Sequence, residues 1–214
     1  STPRPDGPAW RWREKRVKSA GTLRRRTALA VNEIETRRTP LAGADAQPVC
    51  RLRLLGGLAL TTADGRAVEL PTRKSALLLA YLALPSGVAH ARDKLANLLW
   101  PTSGQEQARG SLRHAIAALR KVLGPEAIES ARDHVRLGRH VVAVDVEAMA
   151  DVAEGRVAPS LSEPWETMKA ELLEGVAADG EALGEWLTFE RTRSRAIVQL
   201  ALTRVVEALT AAPS

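Results

Sequence analysis

The sequence predicts an α+β fold, and three observations carry that prediction. Alternating apolar residues mark short strand runs before residue 71. Helical segments follow between residues 72 and 123, and a pair of short β-like pieces comes next. The remainder reads as helix only. The chain has 214 residues and is 45% hydrophobic, enough to bury a core; at 3% aromatic, that core is built mostly of Leu, Val and Ala.

Residues 1–48 lack an apolar period. Prolines stand at 3, 5, 8, 40 and 48, with the basic run RWREKRVK at Arg11–Lys18 and the triplet Arg24–Arg26. A flexible basic arm is expected there. Order is expected from Val49. VCRLRLL (Val49–Leu55) alternates as a strand, LALTT (Leu58–Thr62) follows the Gly56-Gly57 break, and RAVEL (Arg66–Leu70) follows a tight-turn signal at Ala63-Asp64-Gly65. Pro71 closes this small antiparallel sheet, and Thr72 can cap the next helix.

TRKSALLLAYLAL (Thr72–Leu84) is apolar on more than one face, which predicts a buried helix. HARDKLANLLW (His90–Trp100) is amphipathic and stops at Pro101. Ser103 to Glu106 has the spacing of a capping box, opening a helix from about Gln105 to Leu123 that Gly124-Pro125 ends. Ile128–Ser130 and His134–Leu137 are expected to pair as a hairpin across Ala131–Asp133, and Val141–Val144 is a further extended piece.

Sheet, three helices and hairpin is the order of a winged helix-turn-helix with an N-terminal sheet. The tracts TRKSALLLAYLALPSG, ARDKLANLLWP, EQARGSLRHAIAALRKVLG, RDHVRL and VVAVDVEAM resemble the DNA-binding domain of SARP-type (antibiotic regulatory protein) transcriptional activators, whose fold is an OmpR-like winged helix. Further on, DVEAMADVAEG, ELLEGV and GEWLTFERTRSRAIVQLALTRVVEAL are similar to the opening of the bacterial transcriptional activator domain, an array of helical hairpins. The part present here is shorter than that domain, so a partial array is expected. After the expected basic arm at 1–48, the resemblance implies a DNA-binding domain at 49–144 and a helical activator segment at 145–214. It also implies double-stranded DNA as partner, with RNA polymerase and a second copy on direct repeats as further ones.

Charge agrees with that division. Residues 1–50 hold 11 Lys/Arg against 5 Asp/Glu, residues 51–143 hold 14 against 7, and residues 144–214 hold 6 against 13. A basic front and an acidic end suit a chain of which only one part meets a polyanion.

The helix Glu106–Leu123 is the candidate reader. With Leu112 at 0° and about 100° per residue, Ala108, Ala115, Ile116, Leu119 and Leu123 fall on its side and form a seat. Gly110, His114, Ala117 and Lys121 lie opposite. Arg109, Arg113 and Arg120 lie on one flank, with Ser111 and Ala118 on the other. Small residues permit close approach to a major groove, and Arg can pair with guanine O6 and N7. Glu106 is the only acid between residues 105 and 124, so these bases lack local partners. Arg73 and Lys74, at a helix start, and Arg132, His134 and Arg136, in the hairpin, are candidates for backbone and wing contacts. Arg113→Ala and Arg120→Ala are expected to weaken duplex binding.

Other classes find little support. The single Cys50 permits no intrachain disulfide, and His90, His114, His134 and His140 lack metal-ligand spacing. Gly56-Gly57 lacks a phosphate-loop Lys-Ser/Thr pair. The acid-rich stretch Glu163–Glu190 reads as a solvated helical face. No enzyme activity, cofactor or metal is expected. The apolar run Ala76–Leu84 has nine residues, against the ~20 that a membrane helix needs. The start STPRPDGPAW has no signal-peptide core and no Met, so an internal or processed start and a cytoplasmic setting are expected, nucleoid-associated when bound. The alternative reading is a protein-interaction module, or a regulatory segment of a larger signalling protein, without DNA affinity of its own.

Overall fold

The described residues form two short sheets, of four and three strands, and five helices. The computed structural model describes residues 50–138, 141–158 and 169–211. The predicted basic arm at 1–48 lies outside them.

Strands β1 (Cys50–Arg53), β2 (Ala59–Thr62) and β3 (Ala67–Val68) form an antiparallel meander. The alternation that predicted β1 is its burial pattern: Cys50 and Leu52 face inward, Arg51 and Arg53 outward. A later strand, β7 (Val142–Val144), joins this sheet parallel to β1, so the order is β3-β2-β1-β7. The extended piece read near Val141 thus finds its partner about ninety residues back, which no local pattern announces.

Helix α1 (Arg73–Ala83) is nearly engulfed, with Leu77 through Ala83 all buried. Thr72 caps it as expected, its Oγ1 accepting the Ser75 N–H at 3.0 Å. Helix α2 spans Arg92–Leu99 and α3 spans Gln105–Leu123.

Two boundary expectations need correction. The second helix does not begin at His90. His90 and Ala91 form strand β4, drawn out by pairing with β6 (His134–Leu137) in the register His90↔Val135. Nor does Ser103 cap the third helix. Gly104 stands at the N-cap and no side chain caps it, so the expected capping box is not made. The C-terminal end is as expected: Gly124 takes φ +101° and its N–H returns to the Arg120 carbonyl.

Strand β5 (Ile128–Ser130) pairs antiparallel with β6, forming the predicted hairpin, and β4 extends it to a three-stranded sheet of order β4-β6-β5. Helix α4 (Asp145–Ala153) leaves β7 directly. Asp145 anchors that corner: its carboxylate accepts the N–H groups of Leu54 and Leu55 at 2.9 and 2.8 Å, and that of Val146 at 2.8 Å.

Helix α5 (Glu181–Ala211) is the longest element among the described residues. The acid-rich stretch before it departs from expectation. Residues 169–180 run as turns that cross β1's end: Leu173 N–H donates to the Leu54 carbonyl and Glu174 N–H to that of Gly56, both at 2.7 Å. Within α5, Glu190 is 3% exposed rather than solvated; burial raises its carboxyl pKa, with Arg193 at 3.0 Å opposing the shift. The first part of that stretch, 163–168, lies outside the described residues.

Candidate nucleic-acid interface

Helix α3 is held by an apolar stripe. Ala108, Leu112, Ala115, Ile116, Leu119 and Leu123 are all buried, the set that the 3.6-residue period predicts. With that face seated, Arg113, His114, Ala117 and Lys121 are exposed, and Gly110 and Ser111 are half-buried. A Cβ placed on Gly110 would meet Arg113 Nη2 at 3.8 Å as its nearest heavy atom, so the middle of this face is open.

Beside α3 lies a cleft of about 500 Å³. Its walls are the start of α2 (Arg92, Asp93), the first half of α3 (Arg109, Arg113) and the hairpin turn (Arg132, Asp133, His134). Side chains widely separated in sequence therefore converge, and bases outnumber acids among them. Among the described residues, Arg113 and Arg132 make no ion pair.

Two arginines brace the cleft. The Arg92 backbone N–H donates to the Asp133 carbonyl at 2.9 Å, and its guanidinium donates to Ser130 Oγ at 2.6 Å, fixing the hairpin to α2. Arg109 spans from α3 to α2: its Nε and Nη2 donate to Asp93 Oδ1 and Oδ2 at 2.8 and 2.9 Å. This fork lowers the Asp93 carboxyl pKa and raises that of the guanidinium.

The remaining predicted residues stand elsewhere. Arg120 turns inward and donates Nε and Nη2 to the Ile128 carbonyl at 3.1 and 2.7 Å, tying the end of α3 to β5. Arg136 pairs with Glu129 directly across the hairpin. Arg73 donates to the Ala177 carbonyl, and Lys74 pairs with Asp179 at 2.8 Å, which lowers the Asp179 pKa. Neither Arg73 nor Lys74 borders the cleft. The structure thus groups Arg109, Arg113, Arg132 and His134, and leaves Arg73, Lys74, Arg120 and Arg136 in contacts within the protein.

Sequence reasoning missed Arg92 and Asp93. Both sit on a helix legible only as amphipathic, and their partners lie 38 and 16 residues away respectively, beyond any local spacing rule.

Among the described residues, no helix is long and apolar enough to cross a membrane. No family model matches the chain, and no curated protein matches it. Among solved structures, the chain is similar to EmbR of Mycobacterium tuberculosis, solved in complex with a low-affinity phosphopeptide. The TM-score is 0.51 at 20% identity, over 72% of this chain. The match spans 44% of that protein's chain, so less than half of its length is represented. At this identity the likeness concerns the fold alone, a mixed arrangement of α and β elements.

Proposed function

We propose that the protein is a transcriptional regulator of the SARP kind that binds double-stranded DNA. Helix α3 enters the major groove, and the β5–β6 hairpin serves as the wing. One observation carries this reading: Arg113 and Arg132, from separate elements, face one open cleft beside α3 without ion-pair partners among the described residues. Cations left unpaired on one face suit a polyanion. The likeness to EmbR supports the fold that such an arrangement needs.

In this reading Arg109, Arg113, His114 and Lys121 reach base edges or phosphates, while Gly110, Ser111 and Ala117 let the α3 backbone approach. Arg132 and His134 touch the sugar-phosphate backbone from the wing. Residues 49–144 form the DNA-binding part. Residues 145–214 supply a helical surface for RNA polymerase or for a second copy on direct repeats. The protein works in the cytoplasm, associates with the nucleoid when bound, and catalyses no reaction.

Selection of bound sequences from a random duplex library tests the proposal, followed by gel-shift titration at two salt concentrations. A recovered consensus is expected, and Arg113→Ala and Arg132→Ala are each expected to reduce the salt slope by about one. Binding unchanged in both variants would overturn the assignment of the cleft.

One observation favours the second reading, a protein-interaction module without DNA affinity. Leu202, Val206 and Leu209 are exposed along one side of α5. That reading expects no duplex binding even at low salt, so the same titration decides between the two.

A further inference from the structure

The cleft contains a carboxylate where a DNA-binding surface should avoid one. Asp93 is about half exposed on its wall, beside Arg109 and Arg113. Alone, its charge would repel phosphate and weaken every duplex equally. Its geometry indicates a different role. The carboxylate takes the side-on edge of the Arg109 guanidinium, using Nε and Nη2. A guanidinium carries five N–H donors, so the end-on edge, formed by Nη1 and the second hydrogen of Nη2, stays available. That edge has the two parallel donors that match guanine O6 and N7.

An unrestrained arginine can swing between a base and the nearest phosphate, and it gains affinity for any sequence by doing so. An arginine clamped at its side edge has one direction in which to reach. The clamp also orders a flexible side chain before DNA arrives, so less rotamer freedom is lost on docking. Asp93 sits in the first turn of α2, where a negative charge is favoured by the helix dipole. Its ionised form is therefore favoured where it meets its partner.

We infer that Asp93 is a positioning residue for sequence reading: it trades general affinity for discrimination by holding Arg109 with its end-on edge toward the base pairs. The inference rests on the proposed DNA-binding function and names a specificity determinant within it.

The test uses the full chain, the duplex enriched from the random library, and a scrambled duplex of the same composition. For Asp93→Ala, affinity for the scrambled duplex is expected to rise, because a repelling charge is gone. The ratio of the two affinities is expected to fall by about tenfold, the scale of one bidentate base contact. Arg109→Lys, which cannot make the fork, is expected to lower the ratio similarly. The double variant should lose no more than either single one, since all three break the same device. Circular dichroism melting of each variant establishes that it is folded at the assay temperature.

An Asp93→Ala ratio equal to or above that of the unaltered protein overturns the inference, because Asp93 would then act only as a nearby charge. Additive losses in the double variant also overturn it. Failure of the unaltered protein to prefer the enriched duplex is a different result: it removes the DNA-binding reading itself, and the inference falls with it.

Discussion

Arg113 and Arg120 lie on the same flank of one helix, seven residues apart, and their surroundings assign them opposite work. Arg113 is exposed at the cleft. Arg120 is half-buried, with two of its N–H groups on the Ile128 carbonyl. Arg113→Ala should leave stability nearly unchanged and lower DNA affinity several-fold with a smaller salt slope. Arg120→Ala should cost about 1 kcal/mol of stability, because the carbonyl of the buried Ile128 loses these donors. Urea denaturation of both variants checks this, and equal midpoints would contradict it. Gly110 gives a second separation of the same kind. It sits mid-helix without positive φ, and an added Cβ meets nothing closer than 3.8 Å. Gly110→Ala should therefore stabilise α3 by about 1 kcal/mol. It should also weaken duplex binding, because in the proposed complex that face comes close to the groove floor. Opposite signs in melting and gel-shift measurements are the expected result; gains in both would argue against α3 as the reader.

At the scale of elements, β4 couples the hairpin to the core through one ring. His90 is edge-on to Tyr81 at 4.9 Å, and Tyr81 in turn meets Trp186 of α5 at 4.9 Å. Burial and nearby Lys94 hold the His90 imidazole below its ordinary pKa, and its Nε2 finds no hydrogen-bond partner among the described residues. The depressed basic pKa means that the unfolded chain takes up the proton first as pH falls. Stability is thus unaffected by this residue above about pH 6.5 and declines from there toward the lower folded value. His90→Phe keeps a ring against Tyr81 and removes the proton, so the decline between pH 6.5 and 5 should flatten in thermal melts. An unchanged slope would assign that decline to other groups. The same element shows why some of the fold was legible and some was not. The seat of α3 follows from the spacing of six apolar residues, and the Thr72 cap from one side chain; both are local physics. His90 and Ala91 read as the first turn of an amphipathic helix, and only β6, more than forty residues on, makes them a strand. Asp93 and Arg92 were opaque for the same reason. An exposed charge acquires meaning from the group opposite it, and that group is chosen by tertiary packing.

Across the whole molecule, the helical C-terminal part is joined to the N-terminal sheet by hydrogen bonds as well as by apolar packing. Leu173 and Glu174 donate to the carbonyls of Leu54 and Gly56, the Gly56 N–H returns to the Glu171 carbonyl, and Leu172 and Leu173 are buried with β1's end. Arg191 of α5 donates to the carbonyls of both those leucines at 3.0 and 3.1 Å, so the crossing segment is bound on two sides. The described residues also fall within one compact unit, Asp45–Ser214. An activator segment that merely trails a DNA-binding domain would melt independently of it. Bonds of this kind make independent melting costly, because opening either part orphans backbone groups in the other. A single calorimetric transition is therefore expected, with the calorimetric and van't Hoff enthalpies equal. Asp145 supplies the sharper test. It takes N–H groups from Leu54 and Leu55 beside that crossing and from Val146 at the head of α4. Asp145→Ala leaves these donors without their acceptor, a loss of about 3 kcal/mol. In a cooperative molecule that loss moves the whole transition to lower temperature as one peak. In a molecule of two independent parts it would split the transition, moving the portion that contains β1 and α4 and leaving the melting of α5 in place. Two resolved peaks in the variant would thus show that α5 can fold apart from the portion that contains β1 and α4.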